Sequence, residues 1–108
     1  ELHIISNGFK ETTLTKMHVS GLNPYFTNVI ISEDVGVNKP NKLIFEHALA
    51  KAKATKEESV MIGDSLEADI RGAQDFGMRA IFFNPLNIEQ PADVKWQILH
   101  LNELLNHF

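Results

Sequence analysis

The sequence predicts an α/β fold: a parallel sheet of four to five strands with helices on both faces. Three observations predict it. Short apolar runs alternate with segments of helical period, in the order β-α-β-α-β-α-β. Those runs are continuously apolar, as expected of strands covered on both faces. The composition, 44% hydrophobic and 22% charged over 108 residues, is that of an ordinary globular chain with one small domain at most.

Each element has its own signal. Leu2 to Ile5 is the first apolar run, stopped by the turn residues Ser6-Asn7-Gly8. From Lys10 to Ser20, the residues Leu14, Met17, His18 and Gly21 share one helical face, and Gly21 is a natural stop. Asn28 to Ile31 is a β-branched run and reads as the second strand. Ser32 to Pro40 reads as a functional loop. Beyond it, Ile44, Phe45, Ala48, Leu49 and Ala52 form a helical stripe on Asn41 to Lys53. Val60 to Ile62 is a strand broken by Gly63-Asp64-Ser65, and Ala68 to Phe76 a helix ending at Gly77. Ala80 to Phe83 is the fourth strand, ended by Asn84-Pro85. After a loop at Asn87 to Asp93, Trp96 to Leu99 reads as a short fifth strand and Leu101 to Phe108 as a terminal helix. This order is Rossmann-like.

Composition excludes several function classes. The net charge of −4 carries no basic footprint for nucleic acid. No apolar run approaches the roughly 18–20 residues of a membrane helix. With no cysteine, thiolate catalysis, disulfides and cysteine-based zinc sites fall away. The five histidines, His3, His18, His47, His100 and His107, show no metal spacing and read as surface or capping groups. Trp96 reads as core or terminal-helix packing. There is no P-loop and no G-x-S-x-G elbow. No signal peptide is visible, and the expected location is the cytoplasm. The chain opens at Glu1, already in a strand-like run, which is expected of a piece cut from something longer; a tag removed from its start is the alternative.

In open α/β sheets, ligands bind beyond the carboxyl ends of the strands. Those ends here carry Ser6-Asn7-Gly8, Ser32-Glu33-Asp34, Gly63-Asp64-Ser65 and Asn84-Pro85. Asp64 and Asp69, five apart, flank a helix start, and both can reach one rim. Two carboxylates beside a phosphate group suit Mg²⁺, which takes hard oxygen ligands. The competing reading is that Asp64 or Ser65 simply caps the helix. Ser6 and the backbone amides after it can donate to a phosphoryl oxygen, or can form a plain strand-to-helix turn. Lys39, placed at the start of a helix, opposes the helix dipole; it neutralises a phosphate and carboxylates, or is a solvated surface lysine.

Taken in order, Ile4-Ile5-Ser6-Asn7-Gly8, Lys39-Pro40 and Gly63-Asp64-Ser65-Leu66-Glu67-Ala68-Asp69 resemble the second, third and fourth motifs of the haloacid dehalogenase-like (HAD) hydrolase superfamily. The stretch Val35-Gly36-Val37-Asn38-Lys39-Pro40, with Ile44-Phe45 downstream, most resembles its nucleotide and small-molecule monophosphate phosphatases. The resemblance covers nearly the whole chain. It implies that Ser6 donates to the transferring phosphoryl group, helped by the Asn7 backbone. It implies that Lys39 bridges that group and a nucleophilic carboxylate, that Asp64 binds Mg²⁺, and that Asp69 supports the metal's waters or Lys39. The implied partner is a small phosphorylated metabolite or nucleotide monophosphate, with no nucleic acid and no membrane.

One departure is large. The family's first motif, D-x-D-x-[TV], carries the nucleophilic and acid/base aspartates, and no D-x-D occurs here. The expectation is therefore that residues 1–108 form the C-terminal portion of a HAD core, without the first-motif strand or cap. The parent is expected to be a Mg²⁺-dependent phosphatase working through an aspartyl-phosphate, and the chain alone to be inactive. In the family the first-motif strand lies between the strands at Leu2 to Ile5 and Val60 to Ile62. Its absence bares two inner edges, which close up, swap strands in a homodimer, or accept the N-terminal part. Two other classes stay open: a non-catalytic regulatory or binding domain of this fold, and a receiver-like signalling domain, which Ser6-Asn7 at the first strand end disfavours.

Overall fold

The computed structural model describes residues 1–106, and they divide into two compact units, residues 1–55 and 56–106. In the first unit, strand β1 (His3–Ser6) leads into helix α1 (Lys10–Val19), a 3₁₀ turn (Asn23–Tyr25), strand β2 (Asn28–Ile31), the short helix α2 (Ser32–Val35) and helix α3 (Lys42–Ala52). β1 and β2 pair in parallel, with Ser6 opposite Ile31. A parallel pair needs a long crossover, and α1 supplies it. The buried apolar side chains of this unit are Met17, Ile30, Ile31, Ile44, Phe45 and Ala48. The α3 stripe is thus the one its periodicity predicts. Its ends match as well: the Asn41 side chain caps the N-terminus by accepting from the Leu43 N–H, and Lys53 ends the helix at φ 55°.

The second unit opens with a 3₁₀ turn (Lys56–Glu58). Strand β3 (Val60–Gly63) then runs into a π-helical segment (Leu66–Arg71) that continues as helix α4 (Gly72–Phe76). Strands β4 (Arg79–Phe83) and β5 (Trp96–Ile98) follow, then a 3₁₀ segment (Leu101–Asn106). The strand order is β3-β4-β5, all parallel. Gly77 takes φ 95° at the end of α4, a left-handed position that glycine occupies without steric cost. Ile70, Ala73, Met78, Ala80, Ile81, Phe82, Val94 and Ile98 are buried.

The α/β class and all five predicted strands are present, in parallel pairs distributed over two sheets. Some local readings change. The Ser32–Pro40 loop begins with α2, so Asp34 lies on a short helix. On α1 only Met17 is buried; Leu14 and His18 are exposed, because the helix meets the rest of its unit along a narrow line. Trp96 is 40% exposed, with the Lys95 ammonium 5.9 Å from its ring centre, so it is not a core residue. The terminal helix is 3₁₀ as far as Asn106; the reading of His107 and Phe108 lies outside the described residues. No helix among the described residues is long and apolar enough to cross a membrane.

Candidate active site

The first unit gathers three of the predicted site residues. Ser6 closes β1, and its hydroxyl oxygen accepts the Gly8 N–H at 3.0 Å. It also lies 3.1 Å from the Thr13 hydroxyl on α1. This side-chain-to-backbone bond turns the chain sharply between strand and helix. It leaves Asn7 exposed at the strand's carboxyl end, where ligands of α/β sheets bind.

Asn7 then does something that spacing does not announce. Its side-chain Oδ1 accepts the Lys39 N–H at 2.8 Å, and its Nδ2 donates to the Lys39 carbonyl at 3.2 Å. Both main-chain polar groups of Lys39 are thereby held by one amide, 32 residues away in sequence. The Lys39-Pro40 peptide bond is cis. A turn with Asn41 N–H donating to the Asn38 carbonyl at 2.9 Å precedes α3. Lys39 thus precedes the helix, as the reading of Asn41 to Lys53 had it, and lies in the connection ahead of the Asn41 cap. It sits three residues before Lys42, the first residue of α3.

Glu33 and Asp34 of α2 reach the start of α1. Glu33 accepts the Lys10 N–H at 3.1 Å, and Asp34 pairs with the Lys10 ammonium at 3.2 Å. α1 has no side-chain cap from Phe9, so Glu33 supplies an acceptor that its own N-terminus lacks.

The second unit holds the aspartate pair. Asp64 follows the end of β3 and is exposed, whereas Asp69 is buried at 4% exposure. Asp69 Oδ2 accepts the Ser65 N–H at 3.2 Å. Ser65 Oγ in turn accepts the Ala68 N–H at 3.2 Å. The cap reading therefore holds for Ser65, and Asp64 carries no cap. The backbone here is wound wider than an α-helix: the Ser65 carbonyl receives both the Asp69 N–H at 2.9 Å and the Ile70 N–H at 3.2 Å. Such π-helical turns occur frequently at functional sites. Gly63 makes room for the arrangement. A Cβ there would lie 2.2 Å from Asp69 Oδ2 and 2.5 Å from its Cγ.

The fourth polar strand end is structural. Asn84 is buried, its Nδ2 donates to the Ile88 carbonyl at 2.8 Å and to Gln97 Oε1 at 3.1 Å, and its Oδ1 accepts the Ile88 N–H at 3.0 Å. Among the described residues no three His, Cys, Asp or Glu gather as a metal cluster.

The motif order and this geometry agree with the chain's similarity to known proteins. The family model for haloacid dehalogenase-like hydrolases matches residues 1–83. The pyrimidine 5'-nucleotidase YjjG of Escherichia coli (strain K12) is 37% identical over 107 residues, 96% of this chain and 48% of that protein. The crystal structure of a HAD phosphatase from Thermococcus onnurineus superposes with a TM-score of 0.93 at 34% identity, over 99% of this chain and 49% of that one. The HAD-hydrolase YfnB of Bacillus subtilis, solved bound to magnesium, superposes with a TM-score of 0.89 at 33% identity, over 99% of this chain and 47% of that one. The chain thus spans about half the length of the relatives it matches. With its motifs in order and the family model matching residues 1–83, the chain belongs to the haloacid dehalogenase-like hydrolases.

Proposed function

We propose that this chain carries the phosphate-binding and metal-supporting part of a phosphatase that hydrolyses a small phosphate monoester, a phosphorylated metabolite or nucleotide monophosphate. The observation that carries the reading is the union of Ser6, Asn7 and Lys39 at one strand end through the Asn7–Lys39 hydrogen bonds. A hydroxyl and backbone amides at that end, with the main chain of a lysine held beside them, suit the demands of phosphoryl transfer, which rests on positioning and charge neutralisation. The nucleotidase and phosphatase relatives support the same substrate class.

Ser6 donates its hydroxyl proton to a phosphoryl oxygen. The Gly8 N–H donates to Ser6 Oγ; with the Thr13 hydroxyl as donor in the second bond, the Ser6 proton is the one left for the phosphoryl oxygen. The Asn7 backbone N–H adds a second donor. Lys39 neutralises charge on the phosphoryl group and on the attacking carboxylate. That carboxylate lies outside this chain, which contains no D-x-D.

The donor set at β3 fits Mg²⁺: two carboxylates, one exposed and one buried, supply the hard oxygens it prefers. Asp64 would be its direct ligand. Asp69, with one oxygen committed to the Ser65 N–H, shapes the corner and would support the metal's waters. The ion, when bound, stabilises charge on the phosphoryl oxygens. With at most two such ligands, the isolated chain binds Mg²⁺ weakly. The protein works in the cytoplasm, in keeping with a phosphorylated small-molecule substrate.

The test uses the coding sequence upstream of Glu1. A chain extended through a D-x-D-x-[TV] encoded there should hydrolyse p-nitrophenyl phosphate with Mg²⁺, and Asp64→Asn should abolish the activity while leaving the fold. The 108-residue chain alone should be inert. Absence of the motif upstream, equal activity for Asp64→Asn, or turnover by the short chain that is lost on Asp34→Ala would each overturn the reading.

A further inference from the structure

We propose that the side chain of Asn7 is a positioning residue, which sets where the Lys39 ammonium stands relative to the Ser6 turn. The inference rests on the phosphate-binding reading above and adds a role that the reading gives only to the Asn7 backbone.

Lysine is a point charge on a flexible four-carbon stem, so its placement depends on how firmly its Cα is held. Lys39 lies in the connection between α2 and α3, where loop motion would add to the freedom of the stem. Asn7 removes that freedom at its root. One planar amide accepts from the Lys39 N–H at 2.8 Å and donates to its carbonyl at 3.2 Å, so the main chain of Lys39 can neither tilt nor slide without losing a bond. A side-chain amide carries an acceptor oxygen and a donor nitrogen on one planar carbon, so it can hold both groups at once; an ionised aspartate has no donor, and a serine offers both functions only on a single oxygen. The anchor is also well chosen. Asn7 immediately follows Ser6, whose hydroxyl is fixed by Gly8 and Thr13, so the clamp ties Lys39 to the same rigid strand end that holds the hydroxyl. Asn7 is exposed, and exposed hydrogen bonds contribute little to folding stability. The pair is thus better suited to fixing geometry than to stabilising the fold.

The test uses the full 108-residue chain and inorganic phosphate at constant ionic strength, read by NMR at Ser6 and at the Lys39 side-chain Cε. In the wild type, a through-hydrogen-bond coupling should link the Lys39 amide nitrogen to the Asn7 side-chain carbonyl carbon, and phosphate should shift both Ser6 and Lys39. In Asn7→Ala, the phosphate affinity read at Lys39 should fall about tenfold, the equivalent of one hydrogen bond of positioning, while amide protection elsewhere is retained. In Asn7→Asp the Lys39 N–H should keep its acceptor and its slow exchange, yet phosphate binding should fall further, because the donor is lost and a like charge added. Unchanged Lys39 affinity in Asn7→Ala, with Ser6 and Lys39 still responding, overturns the positioning role and leaves the phosphate site standing. A wild-type chain lacking the coupling overturns the clamp without any variant. A wild-type chain in which phosphate shifts neither residue overturns the phosphate site itself, and this role with it.

Discussion

Gly63 shows how much one missing methyl group can decide. Asp69 leans into the space where a side chain would be, with its carboxylate and Cβ 2.2–2.5 Å from an added Cβ. Asp69 is buried and committed to the Ser65 N–H, so it cannot swing away cheaply. Gly63→Ala should therefore destabilise the chain by about 1–3 kcal/mol, the usual range for overpacking. Urea denaturation would measure it, and an unchanged midpoint would show that Asp69 has an alternative rotamer. At this scale the candidate site was legible in residue types and their order. Ser6 and Asp64 stand at strand ends because glycine and asparagine mark where strands stop, whereas Lys39 lies in the connection before α3 and Asp69 within the π-helical segment. What could not be read is the work of neighbours distant in sequence. Nothing in Ser6-Asn7-Gly8 says that the asparagine amide will close on Lys39, since an Asn before a Gly signals only a turn. The choice between Asp64 and Ser65 as cap was likewise open, because both are good capping types; the Ala68 N–H chooses Ser65.

Elements were legible where one hydrophobic face dominates. α3 has a buried stripe of Ile44, Phe45 and Ala48, with capping residues at both ends, and its predicted bounds differ from the observed ones by single residues. α1 was misjudged in its buried face because a lone anchor, Met17, holds it, and period alone overcounts such a face. The π-helical segment had no sequence signal of its own, since its wide turn arises from two N–H groups sharing the Ser65 carbonyl. That segment is also tied to the long connection between β4 and β5. Arg71 donates to Asp93 at 3.0 Å and pairs with Glu67, and Gln74 Nε2 donates to the Asp93 carbonyl at 2.9 Å. The hydrogen bond from Arg71 holds the Asp93 carboxyl below its ordinary value of 3.8. A carboxyl with a depressed folded-state pKa contributes stability above its unfolded value and loses it as pH falls through the folded one. The stability difference between wild type and Asp93→Asn should thus be fully present well above the ordinary value of 3.8 and shrink as pH falls below it. Both partners are solvent-exposed, so added salt should shrink the difference as well. Paired denaturation curves from neutral to acid pH check it; no difference at any pH would assign the anchoring to Gln74, whose bond to the Asp93 carbonyl the variant keeps.

At the scale of the molecule, the argument turns on strand edges. β1 is hydrogen-bonded to β2, and β3 to β4, so each stands at the end of its own sheet. All four residues of β1 and all four of β3 are only partly buried, whereas the middle of β4, with a neighbour on either side, is buried at Ala80, Ile81 and Phe82. A strand with one neighbour presents a row of unpaired N–H and C=O groups, and apolar His3–Ser6 and Val60–Gly63 lack the charges and prolines that usually protect such edges. A two-stranded sheet is also marginal on its own. We therefore expect the isolated chain to associate through these edges, by exchanging strands between copies, until an added N-terminal segment occupies them. Light scattering over a dilution series should show a mass that rises with concentration. Adding the upstream segment as a separate peptide should return it to a single stoichiometric complex. A lysine placed on the edge, Ile4→Lys, should suppress self-association at some cost in stability, since charged residues on open edges disfavour pairing. A mass equal to one chain at every concentration would mean that the edges are protected within the chain itself, and the association argument would fall while the assignment of the site residues would not.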